Sequence, residues 1–74
     1  MAKNVVDKVA TGAKIREIME QKGVCLAEFA FRMNKSTRTA SNYLNGKGLN
    51  NIFTIVSIAD ILQVKVDDLI IKYQ

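Results

Sequence analysis

The chain has 74 residues, 49% of them apolar, and a net charge of +4, a length that holds one domain and leaves no room for a second core. A single cysteine, Cys25, excludes an internal disulfide, and the lack of histidine excludes the usual zinc sites and every imidazole-based mechanism. No stretch reaches the roughly 18 apolar residues of a membrane span and no secretory apolar segment follows Lys3, so the expectation is a soluble, cytoplasmic, all-helical domain held by helix packing or oligomerisation.

Proline is absent, and glycine occurs only at 12, 23, 46 and 48. Gly23 and the Gly46/Gly48 pair therefore read as helix ends. Residues 1–11 carry Val5, Val6 and Val9 without a firm cap and read as an N-terminal extension to a domain of residues 12–74. Between Gly12 and Gly23, the i, i+3, i+4 spacing of Ile15, Ile18 and Met19 predicts a first amphipathic helix. Leu26, Phe29, Ala30 and Met33 repeat that spacing and predict a second over residues 26–33. Asn34-Lys35-Ser36 interrupts it: Asn34 tolerates the left-handed conformation, and Ser36 is a good N-cap. A third helix follows over about Thr37 to Asn45, burying Ala40, Tyr43 and Leu44.

Asn50-Asn51 caps a fourth helix, whose apolar stripe is Ile52, Ile55, Val56, Ala59 and Leu62. Val64 and Val66 bracket a turn, and Asp67 and Asp68 suit the first turn of a fifth helix with the stripe Val66, Leu69, Ile70 and Tyr73. On that helix Ile71 falls about 100° beyond Ile70, outside the core stripe, which marks it as a candidate homodimer seam. The alternative is that Ile71 packs under residues 1–11.

The charge is localised. No acidic residue occurs from 29 to 59, while Arg32, Lys35, Arg38 and Lys47 lie inside that window; the rest of the chain has seven charges of each sign. A one-signed patch attracts polyanions, nucleic acid being the commonest inside a cell, although a plain solvated face has the same composition. Only three residues separate the second and third helices, which makes a steep helix-turn-helix crossing. Ala30 permits the close approach, and Phe29, Met33, Ala40 and Tyr43 fill the angle. Ser36, Thr37, Arg38, Ser41 and Asn42 are left on the outer face of the third helix, near its N-terminal end, as in a recognition helix.

Taken together, Ile15-Arg16-Glu17-Ile18, Glu28-Phe29-Ala30, the run from Ser41 to Lys47 (SNYLNGK), the run from Ile58 to Val64 (IADILQV) and Val66-Asp67-Asp68-Leu69 resemble the Cro and lambda-repressor-like helix-turn-helix family. This is the xenobiotic-response-element class of bacterial and phage regulators. The resemblance runs from Ile15 to Leu69. It implies a compact five-helix fold, binding of double-stranded DNA as a homodimer, and transcriptional regulation, here read as repression. By position it gives Thr37, Arg38 and Asn42 base contacts, and Ser36, Ser41 and Lys47 backbone contacts, with Lys35 extending its ammonium toward the DNA backbone. Chemistry agrees, since Arg forks onto guanine and Asn onto adenine, while phosphate contacts position without reading sequence. Ser36 is equally well a plain N-cap, and Asn42 a solvated helix residue.

The sequence also departs from the family pattern. Leu26 stands where Gln commonly donates to a phosphate, so that clamp is lost. Cys25 occupies an N-cap position usually held by Ser or Thr; a buried, inert thiol is preferred there over a redox sensor. Met19 and Leu44 replace a common Arg–Glu pair together, which keeps the site neutral. Phe31 and Phe53 replace polar residues, either as an exposed contact surface or, the preferred reading, covered by Val5, Val6 and Val9. The expected function is thus a DNA-binding regulator without cofactor, metal, membrane association or small-molecule effector domain. A protein-interaction module such as an antitoxin or antirepressor is the alternative. An enzyme is not expected, since no nucleophile–base pair, metal cluster or phosphate-cradling loop occurs.

Overall fold

The computed structural model describes residues 6–49 and 51–72, so the expectations placed on Val5, Asn50 and Tyr73 lie outside the described residues. Five helices follow one another: α1 (Lys8–Lys22), α2 (Leu26–Met33), α3 (Thr37–Leu44), α4 (Ile52–Leu62) and α5 (Val66–Leu69). Their core comprises Ile15, Ile18 and Met19 of α1, Phe29 and Ala30 of α2, and Ala40, Tyr43 and Leu44 of α3, all anticipated from spacing. It is completed by Leu49, by Ile55, Ile58, Ala59 and Leu62 of α4, and by Leu69 of α5. Among the described residues no helix is long and apolar enough to cross a membrane.

The first four helices end in one way. A residue in the left-handed region (Gly23, Asn34, Gly46, Gln63) is followed by an N–H that reaches back five residues. The bonds are Val24 to Met19 (2.9 Å), Lys35 to Ala30 (3.0 Å), Lys47 to Asn42 (2.8 Å) and Val64 to Ala59 (3.0 Å). This Schellman closure satisfies carbonyls that a helix end would otherwise leave bare. Asn34 (φ 59°) behaves as its chemistry suggests, whereas Gln63 (φ 58°) gives no sequence signal for that conformation.

Helix α1 starts four residues before Gly12, a correction to the reading that began it after that glycine. Asp7 caps it, its carboxylate accepting from the Ala10 N–H at 3.1 Å. Gly12 is consequently mid-helix and buried, and its role is close approach. A Cβ there would lie 2.5 Å from the Leu44 carbonyl oxygen and 2.9 Å from the Gly46 nitrogen. Gly46 in turn passes the backbone of Lys8 and Val9, where a Cβ would meet the Lys8 carbonyl oxygen at 2.7 Å. The N-terminal half of α1 is thus locked onto the C-terminal end of α3 by backbone against backbone.

Helix α5 is shorter than its stripe implied. Ile70 is already extended (φ −78°, ψ 122°), so Ile71 lies on no helix and the helical-wheel ground for a seam at Ile71 is removed. Its backbone is held on both sides: Asp7 N–H donates to the Ile71 carbonyl at 2.7 Å, and Ile71 N–H donates to the Thr11 hydroxyl at 3.0 Å. An antiparallel bridge joins Val6 to Lys72 beside it. Thr11, wholly buried, is therefore a polar core residue with a stated partner.

Three further expectations are corrected. Phe31 and Phe53 are exposed, at 84% and 77%. Residues 8–11 are committed to α1 and Val6 is turned toward Leu49, Ile52, Ile55 and Ile70, so the described part of the extension cannot drape over them. Cys25 is an exposed thiol rather than a buried one, and caps nothing with its side chain. In α4 the buried stripe is Ile55, Ile58, Ala59 and Leu62, leaving Ile52 (57%) and Val56 (47%) exposed. Eight of the eleven α4 residues are apolar, so periodicity alone leaves the choice of face open.

Ala is better than Gly in a helix by about 1 kcal/mol, but the Gly12→Ala methyl meets rigid backbone, an overpacking cost of about 1–3 kcal/mol or more. Gly12→Ala is therefore expected to lower the urea midpoint, against the propensity scale. Met19 and Leu44 are both buried where α1 packs on α3. Met19→Arg should cost about 3–5 kcal/mol as a lone buried charge, and adding Leu44→Glu should recover part of it. Additive losses in the double-mutant cycle would show that the two sites do not interact.

Candidate nucleic-acid interface

The turn of residues 34–36 sets α3 across α2. Lys35 N–H closes α2 on Ala30, and Ser36 opens α3, its Oγ accepting from Thr39 N–H at 3.1 Å while its O–H donates to Thr39 Oγ1 at 3.1 Å. The N-cap role of Ser36 is thus present, and its hydroxyl is engaged within the chain. Ala40, Tyr43 and Leu44 anchor the inner side of α3 in the core. That anchoring dictates what faces outward. Thr37 and Arg38 are exposed; Ser41 and Asn42, one turn further on, are partly buried. Thr37 sits over Ser41 and Arg38 over Asn42, each pair at i, i+4. Eight residues make a helix about 12 Å long, comparable with the width of the B-DNA major groove.

The cations bracket this face. Lys35 is exposed in the turn before α3. Lys47 is exposed after it, its backbone N–H tied to the Asn42 carbonyl, so the loop cannot swing it away from the end of the helix. Arg38 is exposed on α3 itself. None of the three forms an ion pair among the described residues. Arg32, the fourth cation of the acid-free window, is different: it pairs with Glu28 one turn earlier on α2. The available charge is therefore smaller than the count of four, and it is concentrated around α3.

One basic residue of this surface escaped the sequence reading. Arg16 of α1 donates to Asn45 Oδ1 at 3.3 Å, across 29 positions of sequence, and so stands at the C-terminal end of α3 near Lys47. A window count of charge does not see it, because only the packing of α1 on α3 brings it there. At the other end Leu26 is partly buried against the core, where its apolar side chain contributes to packing.

Residues 15–69 match the helix-turn-helix family, and the chain belongs to it, within the Cro-like xenobiotic-response-element class. This is a class of DNA-binding transcriptional regulators. Among solved structures the chain is similar to the clp gene regulator ClgR from Corynebacterium glutamicum, at 27% identity and a TM-score of 0.77 over 84% of this chain and 80% of that one. The restriction-modification controller protein C.AhdI from Aeromonas hydrophila shares the fold at 22% identity and a TM-score of 0.77, over 85% of this chain and 96% of that one. Apo-HppE shares it as well, at 18% identity and a TM-score of 0.80; 90% of this chain corresponds to only 37% of that one. A comparison with curated protein sequences returned no match.

Removing the Ser36 hydroxyl tests how much α3 depends on its cap. Ser36→Ala should lower unfolding free energy by about 1 kcal/mol, measured by denaturant titration. No loss would mean that packing alone holds the first turn of α3.

Proposed function

We propose that the chain is a repressor that binds a double-stranded DNA operator as a homodimer, with α3 in the major groove. The reading rests on one observation above the others: a core-anchored helix presents Thr37 and Arg38 at its N-terminal end, bracketed by cations with no ion pair among the described residues. In this arrangement Arg38 forks onto guanine O6 and N7, Asn42 one turn on meets adenine N6 and N7, and Thr37 takes a neighbouring base edge. Lys35, Ser36, Ser41 and Lys47 contact phosphate and sugar and fix the register of the helix in the groove. For Ser36 the contact shares a hydroxyl with the cap of α3. Two copies related by a two-fold axis present α3 about 34 Å apart to a palindromic site. Occupation of that site blocks transcription.

A second reading, a module of the same fold that neutralises a protein partner, draws on the exposed Phe31 of α2. Salt dependence separates the two. Lys35 and Lys47 from two copies neutralise about four phosphates, which gives a log–log slope of about −4 in a mobility-shift titration. A slope near zero favours the protein partner. Arg38→Ala should weaken specific binding by about 1–3 kcal/mol and relax one base position in an unbiased site selection. Lys47→Ala should weaken all sequences about equally. An unchanged selected site for Arg38→Ala would remove α3 from the role of reading bases.

A further inference from the structure

Three of the five exposed large apolar side chains among the described residues lie on α4. Ile52, Phe53 and Val56 are 57%, 77% and 47% exposed, and their spacing, together with that of Asp60, places all four on the outward side of the helix. The apolar surface continues past Ile52 into a groove of about 290 Å³ lined by Val6, Lys8, Leu49, Ile55 and Ile70. Monomeric proteins seldom leave such a contiguous patch bare. The charges on this face are the second observation. The first turn of α4 has no acidic residue to offset its positive N-terminal end, and Asp60, two turns on, is exposed without an ion pair among the described residues.

We propose that this face of α4 is the homodimer interface, with two α4 helices packed antiparallel about a two-fold axis near Val56. That register sets Asp60 of each copy against the first turn of the other's α4, since positions four residues either side of Val56 face one another. Phe53 and Ile52 of each copy then cover apolar surface of its partner. A surface that carries both a helix N-terminus with no acidic residue in its first turn (its one side-chain cap being the neutral Asn51 amide) and the carboxylate that suits it, at matched distances from one central residue, complements itself, as an isologous interface requires. A foreign partner would need only one of the two. The dimer is consolidated on DNA, where two half-sites hold both copies. The α3–α4 loop, whose Lys47 is tied to Asn42 and whose Gly46 lies against α1, transmits the pairing of α4 to the spacing of the two α3 helices.

This interface deepens the homodimer reading above, and its test uses no DNA, so it stands or falls separately from operator recognition. In sedimentation equilibrium the wild-type chain should rise with concentration from 8.2 kDa toward twice that mass. Phe53→Asp should weaken association at least tenfold and Asp60→Lys several-fold, with helix content unchanged by circular dichroism. Val56→Asp replaces Phe53→Asp if the latter loses helix content. Phe31→Asp, an equally exposed aromatic on α2, should associate as wild type does. In a Cys25→Ser background, Val56→Cys should form a disulfide-linked dimer on mild oxidation. A wild-type chain that stays monomeric at millimolar concentration overturns the proposal. So does a Phe53→Asp variant that keeps its fold and dimerises as tightly as wild type, or an equal loss in Phe31→Asp.

Discussion

The passage of α1 over the C-terminal end of α3 is the contact on which the rest of this small domain depends. Gly12 lets the Leu44 carbonyl lie where a methyl group would otherwise sit, and Gly46 returns the favour beneath Lys8 and Val9. The neighbouring Thr11 then receives the C-terminal segment through the Ile71 N–H. One turn of α1 therefore fixes three things: the end of the outward-facing helix, the loop that carries Lys47, and the last described residues of the chain. With a single cysteine and so no internal disulfide, such backbone-to-backbone closeness is how a chain of this length concentrates its dispersion contacts.

That packing also explains why the candidate interface is well defined. Helix α3 is only eight residues long and would be marginal in isolation. Ser36 closes it at one end and the Lys47–Asn42 hydrogen bond at the other, while Ala40, Tyr43 and Leu44 hold its inner side. The residues left outside are those with forked or short polar side chains. Pre-positioned groups lose less freedom on binding, so in the proposed operator complex the rigidity of α3 serves both affinity and register.

Helix α4 follows a different logic. It is apolar nearly all round, and the core takes only the side bearing Ile55, Ile58, Ala59 and Leu62. Nothing about burial inside one copy accounts for Ile52, Phe53 and Val56. A chain that gives up apolar area on its surface does so at a cost in solubility, and an interface between copies converts that cost into assembly. The C-terminal segment, freed from helix after Leu69, instead spends its hydrogen-bonding groups on Asp7 and Thr11.

Much is legible in the sequence alone. The repeated i, i+3, i+4 spacing located the helices, the three-residue interruption at Asn34-Lys35-Ser36 located the helix-turn-helix, and the residues of α3 sorted themselves into core and outer face, because local spacing and cap chemistry fix these features within a few residues. Other features depend on groups distant in sequence. Gly12 reads as a break from its neighbours alone, and only the Leu44 carbonyl makes it an interior helical position. Ile71 reads as helical until Asp7 and Thr11, about sixty residues away, claim its backbone. Arg16 joins the basic surface through Asn45, and Arg32 leaves it through Glu28. Which side of α4 is buried was decided by the helices packed against it, since a sequence apolar on every side carries no periodic signal to choose between them.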